Sequence, residues 1–235
     1  MKRFRCVALS TLLLGLFAWS GLAQTSTISA TITTYAGPPL PVSGTQAISQ
    51  AIDNPASTLP DGAGGFYIAS ATQNRIYRVA ADGTLSVIAG SGTSGFTGDG
   101  GPAVSAQLNF PVSVAVDAVG NLFIADTLNN RIRKVTTAGI ISTVGGTGTS
   151  GFSGDGSPAV SAQLNYPVGV AVDAAGNLFI ADSDNNRIRK VTPDGIISTV
   201  AGTGTSEHLA SVETVVWRSP PNSTTQRMWQ SGRIG

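Results

Sequence analysis

Residues 112–135 read Val112-Ser-Val-Ala-Val-Asp-Ala-Val-Gly-Asn-Leu-Phe-Ile-Ala-Asp126, then Thr-Leu-Asn-Asn-Arg131-Ile-Arg-Lys-Val135. The stretch occurs three times. Arg75, Arg131 and Arg187 mark an interval of 56 residues, and Asp61, Asp117 and Asp173 keep it, as do Pro55, Pro111 and Pro167. Between residues 99–146 and 155–202 only nine of 48 positions differ. A fixed period of this size denotes stacked copies of one supersecondary unit.

Each copy parses into four short strands. Val112, Val114 and Val116 alternate with Ser113 and Ala115, the period of a half-buried strand. Gly120-Asn121 suits a tight hairpin, Leu122–Ala125 forms a second strand, and Arg131–Val135 a third. Thr137-Ala138-Gly139 turns into a fourth, Ile140–Val144, and the next copy has the stronger turn signal Pro193-Asp194-Gly195. Four antiparallel strands per repeat predict an all-β fold of propeller blades at about 55–90, 111–146 and 167–202. Ile28–Gly37 matches the fourth strand alone, so it is expected as an orphan strand ahead of three blades.

Between blades lies a long insertion, Gly90–Phe110, repeated as Gly146–Tyr166. Its first half is Gly, Ser and Thr around Phe96 or Phe152. Pro102–Leu108 predicts two turns of helix, with Asp99 as the cap. A connection of this length in a compact domain is functional or packed.

The two chain ends differ from the repeats. Lys2, Arg3 and Arg5, the apolar run Val7–Trp19 and Gly21-Leu-Ala23 form a secretory signal peptide, with cleavage expected after Ala23. The apolar run falls short of the about 20 residues a membrane helix needs, so no span is expected in the mature chain. Location is therefore read as secreted, periplasmic or cell surface. Cys6 leaves with the leader, so disulfides and thiolate metal sites are excluded. Three of the 14 basic residues also leave, and 11 basic against 13 acidic residues give −2, which argues against nucleic acid. After Ser206 the repeat stops. Residues 207–235 hold every Glu, the one His and two of the three Trp, as either a natural disordered tail or a truncated or frame-shifted end would.

Gly-Asn-Leu-Phe-Ile-Ala-Asp followed by Asn-Asn-Arg-Ile-Arg-Lys-Val resembles the NHL repeat, the blade motif of usually six-bladed propellers. The Gly-Phe-Ser-Gly-Asp-Gly…Ala-Gln-Leu insertion is similar to that of secreted bacterial NHL proteins and of the teneurin NHL domain. The resemblance covers roughly residues 28–205 and implies a partial six-bladed propeller. It weakens in the first copy, where Ser70 stands in place of Asp126 and Asp182. Some six-bladed relatives are metal-dependent lactonases or lyases using Glu, Asp, Asn or His. The repeats here contain no His, Glu or Cys, so the usual zinc ligands are missing and no catalytic constellation is evident.

The remaining motifs have structural readings beside functional ones. Asp126 and Arg131, like Asp182 and Arg187, bracket the second-to-third turn and are expected to pair as an internal staple. Arg133, Lys134, Arg189 and Lys190 would form small basic spots. Asp182-Ser-Asp184-Asn-Asn186 opens like a calcium loop but lacks the Gly and bidentate acid, so a solvated turn is expected and no cofactor is assigned. The insertion and this turn should share one face, carrying Phe96, Asp99, Phe152 and Asp155 as binding candidates. The alternative is that both rings plug grooves between blades. The expected function is a binding scaffold for a protein or carbohydrate. Alternatives are a fragment of a calcium-dependent hydrolase or lyase, and a structural surface repeat. Open blade edges would favour self-association.

Overall fold

The computed structural model describes residues 41–205. The leader, the strand expected over 28–37 and the tail 207–235 lie outside the described residues. Three antiparallel sheets follow one another along the chain. Blade one comprises β1 (Thr45–Gln46), β2 (Pro55–Pro60), β3 (Phe66–Ser70), β4 (Arg75–Val79) and β5 (Thr84–Ala89). Blade two comprises β6 (Pro111–Val116), β7 (Leu122–Asp126), β8 (Arg131–Val135) and β9 (Ile141–Gly145). Blade three repeats it as β10 (Pro167–Val172), β11 (Leu178–Asp182), β12 (Arg187–Val191) and β13 (Ile197–Ala201). The three sheets span residues 45–89, 111–145 and 167–201.

Local chemistry explains the hairpins. Asp117 Oδ1 accepts the backbone N–H of Val119 and of Asn121, and Asn121 Nδ2 donates to Asp117 Oδ2 at 2.7 Å. Asp173 does the same with Ala175 and Asn177. Such side-chain-to-backbone bonds give the turn its own closure before the strands add theirs. Bulges at Pro111/Ser113 and at Ile132/Arg133 recur in each blade and raise its twist.

The strands are more buried than a half-exposed pattern predicts. Every residue of β7 is buried, because blade two packs against blade one on one side and blade three on the other, so both faces of its sheet are covered. Ala69, Ile76 and Ala89 of blade one meet Val114, Leu122, Ile124, Val135 and Ile141 of blade two. Ala115, Phe123, Ala125 and Ile132 of blade two meet Val170, Leu178, Ile180, Val191 and Ile197 of blade three. Each fully buried Ile or Leu contributes about 1.5–3 kcal/mol.

The insertion makes no two-turn helix. Only Ala103–Ser105 and Ala159–Ser161 form single 3-10 turns, without a side-chain cap. Pro102 in extended backbone and a chain already paired elsewhere prevent a longer helix. Gly100 N donates to Ile141 O, Ile141 N to Gly101 O, and Ala103 N to Gly139 O, while Gly90 N donates to Ala103 O. Each insertion therefore ties the end of one blade's outer strand to the start of the next blade's. Ile140 is spent on a bridge to Pro102, which is why the fourth strand begins at Ile141.

Blade one shows that the device occurs a third time. Gly44 N bonds Leu85 O, Ala47 N bonds Gly83 O, and β1 pairs with β5. Residues 44–49 thus correspond to 100–105, with Ala47-Ile-Ser matching Ala103-Val-Ser. This copy is hidden in the sequence because a proline-rich segment, Pro38, Pro39 and Pro41, stands in place of the Gly-rich first half.

Candidate binding face

On the insertion side, the turn between the second and third strands is an organised polar core rather than a solvated loop. Asp126 is fully buried. Its Oδ1 accepts Asn109 N at 2.7 Å, and its Oδ2 accepts Asn129 Nδ2 at 2.8 Å and Arg133 Nη1 at 3.2 Å. Asn129 Nδ2 also reaches Gly95 O at 2.7 Å, which anchors the insertion to the turn. Asn130 sits in left-handed backbone at φ 50°, and its Oδ1 accepts Tyr166 N, the entry to the next blade. Burial pushes the Asp126 carboxyl above its ordinary pKa, although Asn129, Asn109 and Arg133 pull against it.

Asp126 and Arg131 do not pair as the sequence suggested. They lie directly opposite in the β7–β8 register, but the ionic partner is Arg133, and in blade three Asp182 takes Arg189 rather than Arg187. Residues 131 and 133 share a face of β8. Arg133 sits deeper with no route to solvent, and a buried guanidinium requires a countercharge. Arg131, at the mouth of the strand, instead donates to Thr147 O and to Asn129 O. Arg133 and Arg189 are therefore not parts of a surface basic spot. The Asp182–Asn186 turn is likewise not solvated at Asp182 and Asn185, which are buried.

The same guanidinium reaches out to the insertion. Arg133 Nη2 donates to Asp99 Oδ1 at 2.7 Å and to Thr97 O at 3.2 Å, and Nη1 to Gln107 O at 3.3 Å. Asp99 Oδ2 accepts Thr143 Oγ1 at 2.7 Å. Blade three repeats this with Arg189, Asp155 at 2.8 Å and Ser153 O at 3.0 Å. Asp99 is thus a clamp on the arginine and not a helix cap. Burial opposes ionisation of Asp155, yet neighbouring Thr199 and the Arg189 charge hold its carboxyl below the ordinary value.

The phenylalanines do not stand free. Arg131 lies 3.6 Å from the Phe96 ring centroid and Arg133 4.7 Å, and the Phe152 ring has Arg187 at 3.7 Å and Arg189 at 4.8 Å. The rings remain 37% and 41% exposed. Phe96, Asp99, Phe152 and Asp155 therefore fall on one repeated arrangement: an aromatic face held by two arginines, next to a half-exposed carboxylate. Burial and the like charge of Arg133 both lower the Arg131 pKa, opposed by Asp126 and Asp99.

Two features escaped the sequence. Blade one replaces the ion pair by a neutral set: Tyr77 Oη and Ser70 Oγ both bond Gln73 Oε1, at 3.0 and 2.9 Å. Positions 70, 73 and 77 match 126, 129 and 133, while Arg75 matches Arg131 unchanged. That joint replacement was the signal for the true pairing. The second is a cleft of about 510 Å³ between blades two and three on the hairpin side, lined among others by Asp117, Phe123, Lys134, Val160 and Asp194. It is formed by two blades together, so no single repeat reveals it.

The profile of the teneurin NHL domain matches residues 92–151 and 147–216. Human teneurin-4 is 44% identical over 101 residues, 37% of this chain and 4% of that protein. The chloroplastic protein SUPPRESSOR OF QUENCHING 1 of Arabidopsis thaliana is 34% identical over 98 residues, 41% of this chain and 9% of that protein. Among solved structures, a Bacteroides thetaiotaomicron protein of unknown function gives a TM-score of 0.47 at 26% identity, covering 58% of this chain and 32% of its own. A streptogramin B lyase gives 0.43 at 14%, covering 60% and 38%. The chain thus spans less than a tenth of these sequence relatives. Among the described residues no helix is long and apolar enough to cross a membrane.

Proposed function

Since this chain belongs to the NHL-repeat family in its teneurin NHL-domain form, we propose that it is an extracellular binding scaffold whose insertion face captures a protein or carbohydrate partner. The observation that carries the reading is the pinned aromatic face. Phe96 and Phe152 are partly exposed, yet each is fixed by two guanidinium groups and by a loop tied to buried Asp126 or Asp182. A rigid aromatic presented beside Arg and Asp loses little entropy on binding, the property of residues that dominate interface energies. A cation at Asp99 or Asp155 would have to displace Arg133 or Arg189, which favours the scaffold over a calcium-dependent hydrolase or lyase. Export rests on the leader, and the mass of the secreted protein should begin at Gln24.

The test is a paired replacement, Phe96→Ser with Phe152→Ser, read on a glycan array and on a displayed library of extracellular domains. Loss of every signal given by the parent, with the melting curve shifted only slightly, supports the reading. Retained binding would move the site elsewhere, with the cleft at Lys134 the next face to alter. Unfolding would place both rings in the core.

A further inference from the structure

Blades two and three enclose a cleft of about 510 Å³ on the hairpin side, and its lining includes neither Phe96 nor Phe152. Phe123, Leu178 and Val191 of that lining belong to the apolar cluster that joins these two blades, so the cleft is part of their contact. Its volume lies within the about 300–1,000 Å³ of small-molecule sites. Lys134 enters from β8 of blade two, and Asp194 from the turn between β12 and β13 of blade three.

Neither charge is spent inside the protein. In blade one the residue matching Lys134 is Arg78, whose Nε and Nη2 both donate to Asp61 Oδ2, the former at 2.8 Å. That oxygen is open to Arg78 because position 65 is glycine. In blade two Asn121 stands there instead, and its Nδ2 takes the matching oxygen of Asp117 at 2.7 Å. Asp117 Oδ1 already accepts two backbone N–H groups. The Lys134 ammonium is left over the Phe123 ring, 5.4 Å from its centroid, with no ion pair among the described residues. Asp194 is exposed and likewise has no ion pair among them. Thr137-Ala138 of blade two becomes Pro193-Asp194 in blade three, so the junction of blades one and two has an alanine where this cleft has a carboxylate.

We propose that the cleft binds a small zwitterion with an apolar body, of the class of a dipeptide with free ends, its carboxylate on Lys134 and its ammonium on Asp194. Two opposite charges that line one cavity without meeting each other suit a ligand that carries both. A purely anionic ligand would meet Asp194 and a purely cationic one Lys134, and a like charge across a site rejects the wrong partner. Between the charges Val144, Val160, Leu178 and Pro193 offer an apolar surface, and Val160 is still 49% exposed. Apolar walls with a few placed polar groups are the usual make-up of a small-molecule site.

Titration calorimetry of the full chain with leucyl-leucine and valyl-valine as probes should give saturable binding. Acetylating the amino end or amidating the carboxyl end should each weaken it about tenfold, the loss of one charge-assisted contact. Lys134→Gln should bind the free acid and the amide equally, and Asp194→Asn the free amine and its acetylated form equally. Neither residue has an ionic partner to lose, so both melting curves should match the parent. Val160→Trp, at an exposed position, should exclude both probes. Absence of saturable binding for both probes overturns the proposal. So does binding indifferent to blocked ends, a Lys134→Gln chain that keeps the preference for the free acid, or binding that survives Val160→Trp. None of these variants touches Phe96 or Phe152, so failure here is separable from failure of the proposed function.

Discussion

Arg133 Nη1 donates to Asp126 Oδ2 at 3.2 Å with both side chains fully buried, and the same guanidinium clamps Asp99 of the insertion at 2.7 Å. One arginine therefore joins the interior of a blade to the loop on its surface. Removing one member of a buried pair leaves an uncompensated charge, which costs about 3–5 kcal/mol. Asp126→Ala should lower stability by that amount in urea titration. Blade one contains the neutral alternative, so Asp126→Ser/Asn129→Gln/Arg133→Tyr should recover most of the loss. The insertion would stay unclamped, and limited proteolysis near Phe96 should be faster than in the parent.

How far this was visible in the sequence depends on which contacts are local. The blades were legible because a hairpin needs only Asp117, Gly120 and Asn121 in one short segment, and the period then repeats it. The Arg133 clamp was not, because its partners lie at positions 97, 99, 107 and 126. Chain proximity pointed to Arg131, which faces Asp126 across the sheet but turns to Thr147 and Phe96. The insertion misled in the same way. Pro102–Leu108 has helical residues, but Ala103 N donates to Gly139 O of the next blade, and the carbonyls of Ala103, Ala106 and Leu108 accept the N–H groups of Gly90, Ser91 and Gly95.

Arg131→Ala separates the two roles of the Phe96 ring. The guanidinium stacks on it at 3.6 Å, and a partly exposed contact of this kind is worth about 0.5–1 kcal/mol. The melting temperature should therefore fall only slightly. If the ring is a binding anchor, affinity for whatever the parent captures should change more than stability does, because the ring loses its fixed orientation.

Gly146 tests the backbone. Its φ is +86°, and a Cβ there would fall on the Asn130 carbonyl oxygen. Gly139, at φ +77°, has nothing within 4 Å of the same position. Gly139→Ala should carry only the cost of a left-handed residue, about 1 kcal/mol. Gly146→Ala adds a backbone collision and should be clearly worse in side-by-side urea titrations. Equal effects would mean the chain around Asn130 yields without loss.

Acid should weaken the fold through its hairpins. Backbone bonding from Ala63 lowers the Asp61 pKa, and the Asn177 side chain and backbone lower that of Asp173. For Asp117 burial acts upward, but Asn121 and Val119 outweigh it, and the value again falls below 3.8. A folded-state pKa below the unfolded one stabilises fully above the unfolded value and is lost as pH drops through the folded value. These three groups thus favour the fold near neutrality and lose that contribution as pH falls below 3.8 through their folded values. Asp126 runs the other way. Its raised value contributes stability present below 3.8 and lost as pH climbs through the folded pKa. The three hairpin aspartates outnumber it, so the urea midpoint should decline on going from pH 5 toward about pH 3. Asp117→Asn with Asp173→Asn should lower the midpoint at neutral pH and flatten its acid decline. A parent whose midpoint is unchanged across that range would show that the turn bonds persist with protonated carboxyls.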